Sequence, residues 1–86
     1  MIKVTLIRPD DCAHGKAVKA TLEEMRSDYP DIIIEEVDML TPKGQKLVKK
    51  YNILSSPGIL VTDEFFVFGG ATKEQFKKKF AELEDN

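Results

Sequence analysis

A single cysteine followed closely by a single histidine is the part of this sequence best suited to chemistry. Cys12 and His14 are the only residues of their kinds among 86 residues. One cysteine forms no disulfide within the chain, and one cysteine with one histidine supplies too few ligands for a tetrahedral metal site. Neither an internal disulfide nor a metal site within one chain therefore accounts for this thiol.

Cys12 stands where a strand pattern changes into a helix pattern. Residues 2–7 alternate between two faces and are rich in β-branched side chains, which predicts a strand partly buried on both sides. From residue 12 or 13 the apolar spacing is helical, and Tyr29 with Pro30 closes the predicted helix. The apolar stripe of this helix consists of Ala17, Val18, Thr21, Leu22 and Met25.

A helix N-terminus at Cys12 predicts a modest lowering of the pKa of its thiol. Unpaired backbone N–H groups and the positive end of the helix dipole stabilise a thiolate there, below the usual pKa of about 8.5. Lys16 and His14 are candidates for tuning the thiol, whereas Asp10 and Asp11 repel a thiolate. In the alternative interpretation, Cys12 is a small buried hydrophobic residue and His14 is an exposed residue without a role.

The remaining pattern predicts two further helices and three further strands. In chain order we expect a strand over 31–39, a helix from Pro42 to about Tyr51, strands over 58–62 and 65–69, and a last helix that buries Phe76, Phe80 and Leu83. Thr41 is a predicted N-cap, Thr72 and Gln75 have capping-box spacing, and Gly44 weakens its helix by about 1 kcal/mol.

The fold class that these elements predict is α/β in a single domain over 1–86. Its predicted order is β-α-β-α-β-β-α, with a four-stranded mixed sheet and helices on both faces.

This order, together with three short motifs, resembles the thioredoxin-fold superfamily, in particular small prokaryotic glutaredoxin-like and thioredoxin-like proteins. The motifs are Cys12 between the first strand and helix, "SSPG" at 55–58, and "FGGATKEQFKKKF" at 68–80. The resemblance covers nearly the whole chain. Where the family has C-x-x-C, this chain has Cys12-Ala13-His14-Gly15, so Gly15 replaces the second cysteine.

The resemblance implies a thiol–disulfide exchange protein that works with one cysteine. Cys12 would be the nucleophile, and a cis proline at Pro57, with Ser56 and Gly58, would form the edge that binds an extended substrate. Glutathione or another low-molecular-weight thiol would be the co-substrate. The groups available to hold glutathione are Gly69, Gly70, Thr72 and either Arg8 or Lys16. The missing second cysteine favours the alternative, a redox-inactive binding or adaptor module.

Composition limits the partners of the chain. The formal net charge is -2, and the run "KKK" at 77–79 fits the solvated face of a helix, so we expect no nucleic-acid partner. No apolar run reaches the roughly 18 residues of a membrane span, and the N-terminal segment reads as a strand instead of a signal peptide. We expect a cytoplasmic monomer or weak dimer, without a metal, that exchanges with protein or small-molecule disulfides.

Overall fold

The strands and helices follow one another in the order that the apolar patterns of the sequence predict. The computed structural model describes residues 2–9 and 13–84, without the side chains of His14 and Glu84. The described residues form four strands and three helices. These are β1 (Ile2–Arg8), α1 (Ala13–Met25), β2 (Ile32–Asp38), α2 (Pro42–Tyr51), β3 (Gly58–Val61), β4 (Glu64–Phe68) and α3 (Lys73–Glu84).

The strands form one mixed sheet with the order β2-β1-β3-β4. β1 runs parallel to β2 and antiparallel to β3, and β3 runs antiparallel to β4. The parallel pair is connected through α1, as a parallel connection requires a crossover. The predicted fold class, α/β with a four-stranded mixed sheet, is confirmed.

Each face of the sheet is covered by apolar side chains from different helices. On one face Val4 and Leu6 pack with α1 and α3, whose buried residues include Leu22 and Phe76. On the other face Ile7 lies in a cluster against which α2 packs Leu47, together with Val48 and Tyr51. The alternation of β1 therefore divides its side chains between two helix-covered faces, as predicted.

Some boundaries differ from the sequence prediction. α1 ends at Met25, four residues before Tyr29, and Tyr29 N donates to the Met25 carbonyl oxygen at 2.9 Å in the turn that follows. Thr62 and Asp63, which connect β3 to β4, have φ angles of 51° and 65°. Positive φ at both central residues is typical of a type I′ hairpin turn, a conformation that costs energy for the β-branched Thr62.

Gly44 in α2 has a packing role that the sequence does not reveal. Thr41 caps the helix as predicted, because its side chain accepts a hydrogen bond from Gly44 N at 3.1 Å. Gly44 is buried, and a Cβ placed on it would overlap the carbonyl oxygen of Asp38 and lie 2.8 Å from Met39 Cα. The glycine that weakens α2 locally therefore allows the helix to approach the end of β2.

We predict that Gly44→Ala destabilises the chain despite the better helix propensity of alanine. The gain of about 1 kcal/mol in propensity is outweighed by overlap with backbone atoms, and overpacking typically costs about 1–3 kcal/mol. Urea unfolding measures the change in the free energy of unfolding. Lys49→Ala, at an exposed position of the same helix, is the control and should stay within about 0.5 kcal/mol of wild type. Equal or greater stability of Gly44→Ala would contradict this role.

Candidate functional site

The sheet register brings the two sequence motifs to one end of the molecule. Ile7, next to the last residue of β1, pairs with Gly58, the first residue of β3. Gly58 also pairs with Phe68, the last residue of β4. The connection from β1 to α1 therefore begins beside the "SSPG" segment, at the carboxyl end of β1, where open α/β sheets commonly bind ligands.

The predicted nucleophile lies outside the described residues. Cys12, Asp10 and Asp11 belong to the connection between β1 and α1, and the side chain of His14 is likewise not described. In sequence, Cys12 directly precedes Ala13, the first residue of α1. The roles assigned to Cys12, His14 and both aspartates stay predictions.

Pro57 is integrated into the sheet end. The Ser56–Pro57 peptide bond is cis, the side chain of Pro57 is fully buried, and Ser56 is half-buried. The Pro57 carbonyl oxygen accepts a hydrogen bond from Gly69 N at 2.9 Å. The segment that precedes β3 is thus held to the residue that follows β4.

Gly58 leaves room for the protein's own core. A Cβ on Gly58 would lie 2.6 Å from Ile53 Cδ1 and 2.9 Å from Ile53 Cγ2. Ile53 is buried in the cluster on the α2 face of the sheet. A side chain at position 58 would therefore need Ile53 to shift, and the contribution of Gly58 to substrate binding stays a prediction.

The groups suggested for glutathione are partly engaged within the chain. Gly69 and Gly70 have φ angles of 89° and 131°, which glycine adopts without strain. Thr72 forms the predicted capping box of α3: Thr72 N donates to Gln75 Oε1 at 2.8 Å, and Gln75 N donates to Thr72 Oγ1 at 3.3 Å. Lys16 is exposed on α1.

Arg8 lies against the position that lacks the second cysteine. Gly15 is buried in the first turn of α1. A Cβ on Gly15 would overlap Arg8 Cδ and would lie 3.0 Å from Arg8 Nε and 3.3 Å from Arg8 Cγ. The stem of the arginine therefore occupies the space into which a side chain at position 15 would extend.

The guanidinium of Arg8 is fixed by an ion pair with β2. Arg8 Nη2 lies 2.6 Å from Glu36 Oε1, and the Arg8 side chain is only 14% exposed. Lys19 Nζ lies 3.3 Å from the other carboxylate oxygen of Glu36. The hydrogen bond from Arg8 is the main reason why the pKa of Glu36 lies below its ordinary value, with Lys19 adding to the effect and burial opposing it.

Solved structures with the same architecture identify the fold. An uncharacterized thioredoxin-like protein from Clostridium perfringens superposes with a TM-score of 0.80 at 15% identity, over 96% of this chain and 71% of that chain. Mitochondrial thioredoxin 3 from Saccharomyces cerevisiae superposes with a TM-score of 0.68 at 16% identity, over 95% of this chain and 78% of that chain. Thioredoxin O2 from Arabidopsis thaliana superposes with a TM-score of 0.68 at 16% identity, over 96% of this chain and 75% of that chain. The chain has the thioredoxin fold. No family model and no curated protein sequence matches it.

The thioredoxin fold of this chain carries an exposed group of rings, here called the aromatic patch and formed by Tyr51, Phe65 and Phe68. Tyr51 and Phe65 stack with ring centroids 6.2 Å apart, and Phe65 and Phe68 are also 6.2 Å apart. A register shift in the β3–β4 pairing adds a residue to β4, which places Phe65 and Phe68 on one face. Phe65 is 37% and Phe68 40% exposed. The sequence does not predict this patch, because the shift reverses the simple alternation of β4.

Neither a metal site nor a membrane span is indicated by the described residues. Within residues 2–9 and 13–84, no group of three or more histidine, cysteine, aspartate or glutamate side chains is placed to hold a metal ion. In the same part of the chain, no helix combines the length and the apolar character needed to span a membrane.

We predict that Glu36→Gln destabilises the chain by about 1 kcal/mol at pH 7. This is the contribution of a hydrogen bond to a charged group, reduced because the pair is partly exposed to solvent. The pKa of Glu36 is lowered from 4.5 in the folded chain. The stabilising effect is therefore fully present above that value and is lost as the pH falls through the lower, folded-state pKa. Urea unfolding at pH 7 and at about pH 3 should show the difference between the two proteins shrinking in acid.

The control for this measurement is Glu23→Gln, since Glu23 forms an exposed pair with Arg26 at 3.8 Å. Such pairs contribute little, so this variant should resemble wild type at both pH values. A Glu36→Gln difference that persists unchanged in acid would show that the carboxylate charge is not what stabilises the chain.

Proposed function

We propose that the chain is a thiol–disulfide exchange protein of the thioredoxin fold that uses Cys12 alone. The observation that carries the proposal is the place of the only cysteine in the chain. Cys12 stands directly before α1 and within the connection that leaves the carboxyl end of β1. The register of β1 with β3 brings the start of that connection beside the cis Ser56–Pro57 segment.

The exchange consists of two thiolate attacks. The Cys12 thiolate attacks one sulfur of a disulfide R–S–S–R, forms the mixed disulfide Cys12–S–S–R and releases one R–S⁻. A thiolate R′–S⁻ from outside the chain then attacks the R sulfur, forms the disulfide R–S–S–R′ and releases Cys12 as a thiolate. No net oxidation of the protein takes place. The external thiol is needed because position 15 holds glycine in place of a cysteine.

The electrostatics of α1 support a reactive thiol. The helix has 13 residues and no acidic residue in its first turn, so its unpaired N–H groups favour a negative charge before Ala13. Lys16, an exposed cation of the second turn, adds to this effect. Asp10 and Asp11 oppose it, and the expected lowering of the thiol pKa is therefore modest.

The proposed substrates would bind at the same end of the sheet. Ser56 and Pro57, beside the start of β3, are the proposed edge for an extended peptide that carries the disulfide, and the co-substrate is a low-molecular-weight thiol such as glutathione. Protein and small-molecule disulfides are both proposed partners. Arg8 is a weaker candidate than Lys16 for holding a carboxylate of this thiol, because its guanidinium already pairs with Glu36.

The proposal predicts that wild type forms a mixed disulfide with oxidised glutathione at Cys12 and releases it when reduced thiol is added. Intact-protein mass spectrometry follows both steps. Cys12→Ser should give no adduct, and a denatured wild-type sample gives the rate of an ordinary thiol. We expect the folded chain to react faster than the denatured chain at pH 7, since a larger fraction of its thiol is ionised. A folded chain that reacts more slowly, or only after unfolding, would rule out the proposed exchange.

The aromatic patch favours a second candidate function, a redox-inactive binding module. Phe68 is exposed at the sheet end that holds Gly58, and Phe65 is exposed closer to the β3–β4 turn. Leu54, three residues after Tyr51 in sequence, is 73% exposed. Aromatic side chains of this kind are typical of the centres of protein interfaces. An unreactive Cys12 in the mixed-disulfide experiment would favour the binding module over thiol–disulfide exchange.

A further inference from the structure

We propose that Arg8 takes the place of the missing second thiol, because its side chain fills the space that a side chain at position 15 would need and so excludes a cysteine there. The significance of this exclusion rests on the proposed function. The exclusion itself rests on the packing of Arg8 against Gly15 and can be tested without any activity. Positions 8 and 15 are in this view a matched pair: the absence of a side chain at Gly15 leaves room for the stem of Arg8.

The first step of the argument is the space at Gly15. This glycine is buried at the third position of α1. The three atoms nearest to a Cβ there all belong to Arg8, with overlap at Cδ and a distance of 3.0 Å to Nε. A cysteine adds a sulfur beyond that Cβ and needs still more room. The two side chains therefore compete for one volume.

The second step is that Arg8 is anchored at its far end. Arg8 Nη2 pairs with Glu36 at 2.6 Å, and Arg8 Nη1 donates to the Pro9 carbonyl oxygen at 3.2 Å. The contact with position 15 is made by the middle of the stem, between these bonds and the backbone of β1. Displacing the stem therefore requires breaking the contacts with Glu36 and Pro9, which is more costly than moving the end of a free side chain.

The third step concerns the chemistry. In a two-thiol protein, a mixed disulfide at the first cysteine is attacked by the second, which releases R–S⁻ and forms an internal disulfide. With Gly15 in place of the second cysteine, the mixed disulfide persists until an external thiol attacks it. The packing of Arg8 disfavours the one substitution, a cysteine at position 15, that would supply an internal resolving thiol.

A double-mutant cycle tests the packing. The variants are Gly15→Ala, Arg8→Ala and the combination of both, and urea unfolding gives their equilibrium constants. We expect Gly15→Ala to lower the folding constant by about tenfold or more in the presence of Arg8 and by clearly less in the Arg8→Ala background. Additive effects of the two substitutions would overturn the proposal.

Disulfide formation tests the consequence. Gly15→Cys alone and Arg8→Ala/Gly15→Cys are equilibrated with oxidised and reduced dithiothreitol. The two protein thiols lose two electrons and two protons to the oxidant and form one bond between positions 12 and 15. We expect this internal disulfide to be favoured about tenfold or more in the double variant. Equal equilibrium constants, or no internal disulfide in either variant, would overturn the proposal.

The matched control is Lys19→Ala/Gly15→Cys. Lys19 pairs with the same carboxylate at 3.3 Å and carries the same charge as Arg8, but none of the three atoms nearest to a Cβ at Gly15 belongs to it. It should therefore resemble Gly15→Cys alone. If Lys19→Ala favours the disulfide as strongly as Arg8→Ala, loss of a positive charge is the cause and the exclusion is refuted.

The outcomes separate this proposal from the proposed function. An unreactive wild-type Cys12 with non-additive substitutions at positions 8 and 15 would remove the exchange activity and retain the Arg8–Gly15 pair. A reactive Cys12 with additive substitutions would retain the activity and refute the role of Arg8.

Discussion

The central position of β1 is the constraint on which the rest of the structure depends. β1 pairs with β2 on one side and with β3 on the other, and its residues Val4, Leu6 and Ile7 are fully buried between the two helix-covered faces. A shift of one residue in its register would exchange these faces and place both apolar sets wrongly. Because β1 is held so firmly, the point at which its chain leaves the sheet is fixed as well.

That point determines where the connection that contains the only cysteine begins. The chain leaves β1 at Arg8, beside the amino end of β3, and enters α1 five residues later at Ala13. Arg8 is tied to β2 through Glu36 and lies against the first turn of α1 through Gly15. One side chain therefore links three elements around the connection that contains the only cysteine.

The sequence predicts the fold well because most of its signals are local. Alternation in residues 2–7, the cap at Thr41 and the capping box of Thr72 and Gln75 each depend on neighbours within a few positions, and the structure confirms them. The features that it does not predict arise from contacts between distant residues. Arg8 and Glu36 are 28 positions apart.

The difference between local signals and contacts between distant residues also explains which details of the sequence prediction were incomplete. Propensity marks Gly44 as a weakness, whereas contact with the end of β2 makes it a requirement. Alternation in β4 does not reveal the register shift that brings Phe65 and Phe68 together. The candidate site is predictable only as far as the position of Cys12 and Pro57 in the chain, because the partners of Gly15 and Gly58 are set by tertiary packing.

The central claim is that the only cysteine is a nucleophile activated by the helix that follows it. The most direct measurement is an NMR titration of wild-type protein labelled at the Cβ carbon of Cys12, which reports the pKa of the thiol itself. The account predicts a value modestly below about 8.5, the pKa of a free thiol. A value at or above 8.5 would contradict it, because a thiol that the helix does not stabilise as a thiolate has no advantage in exchange.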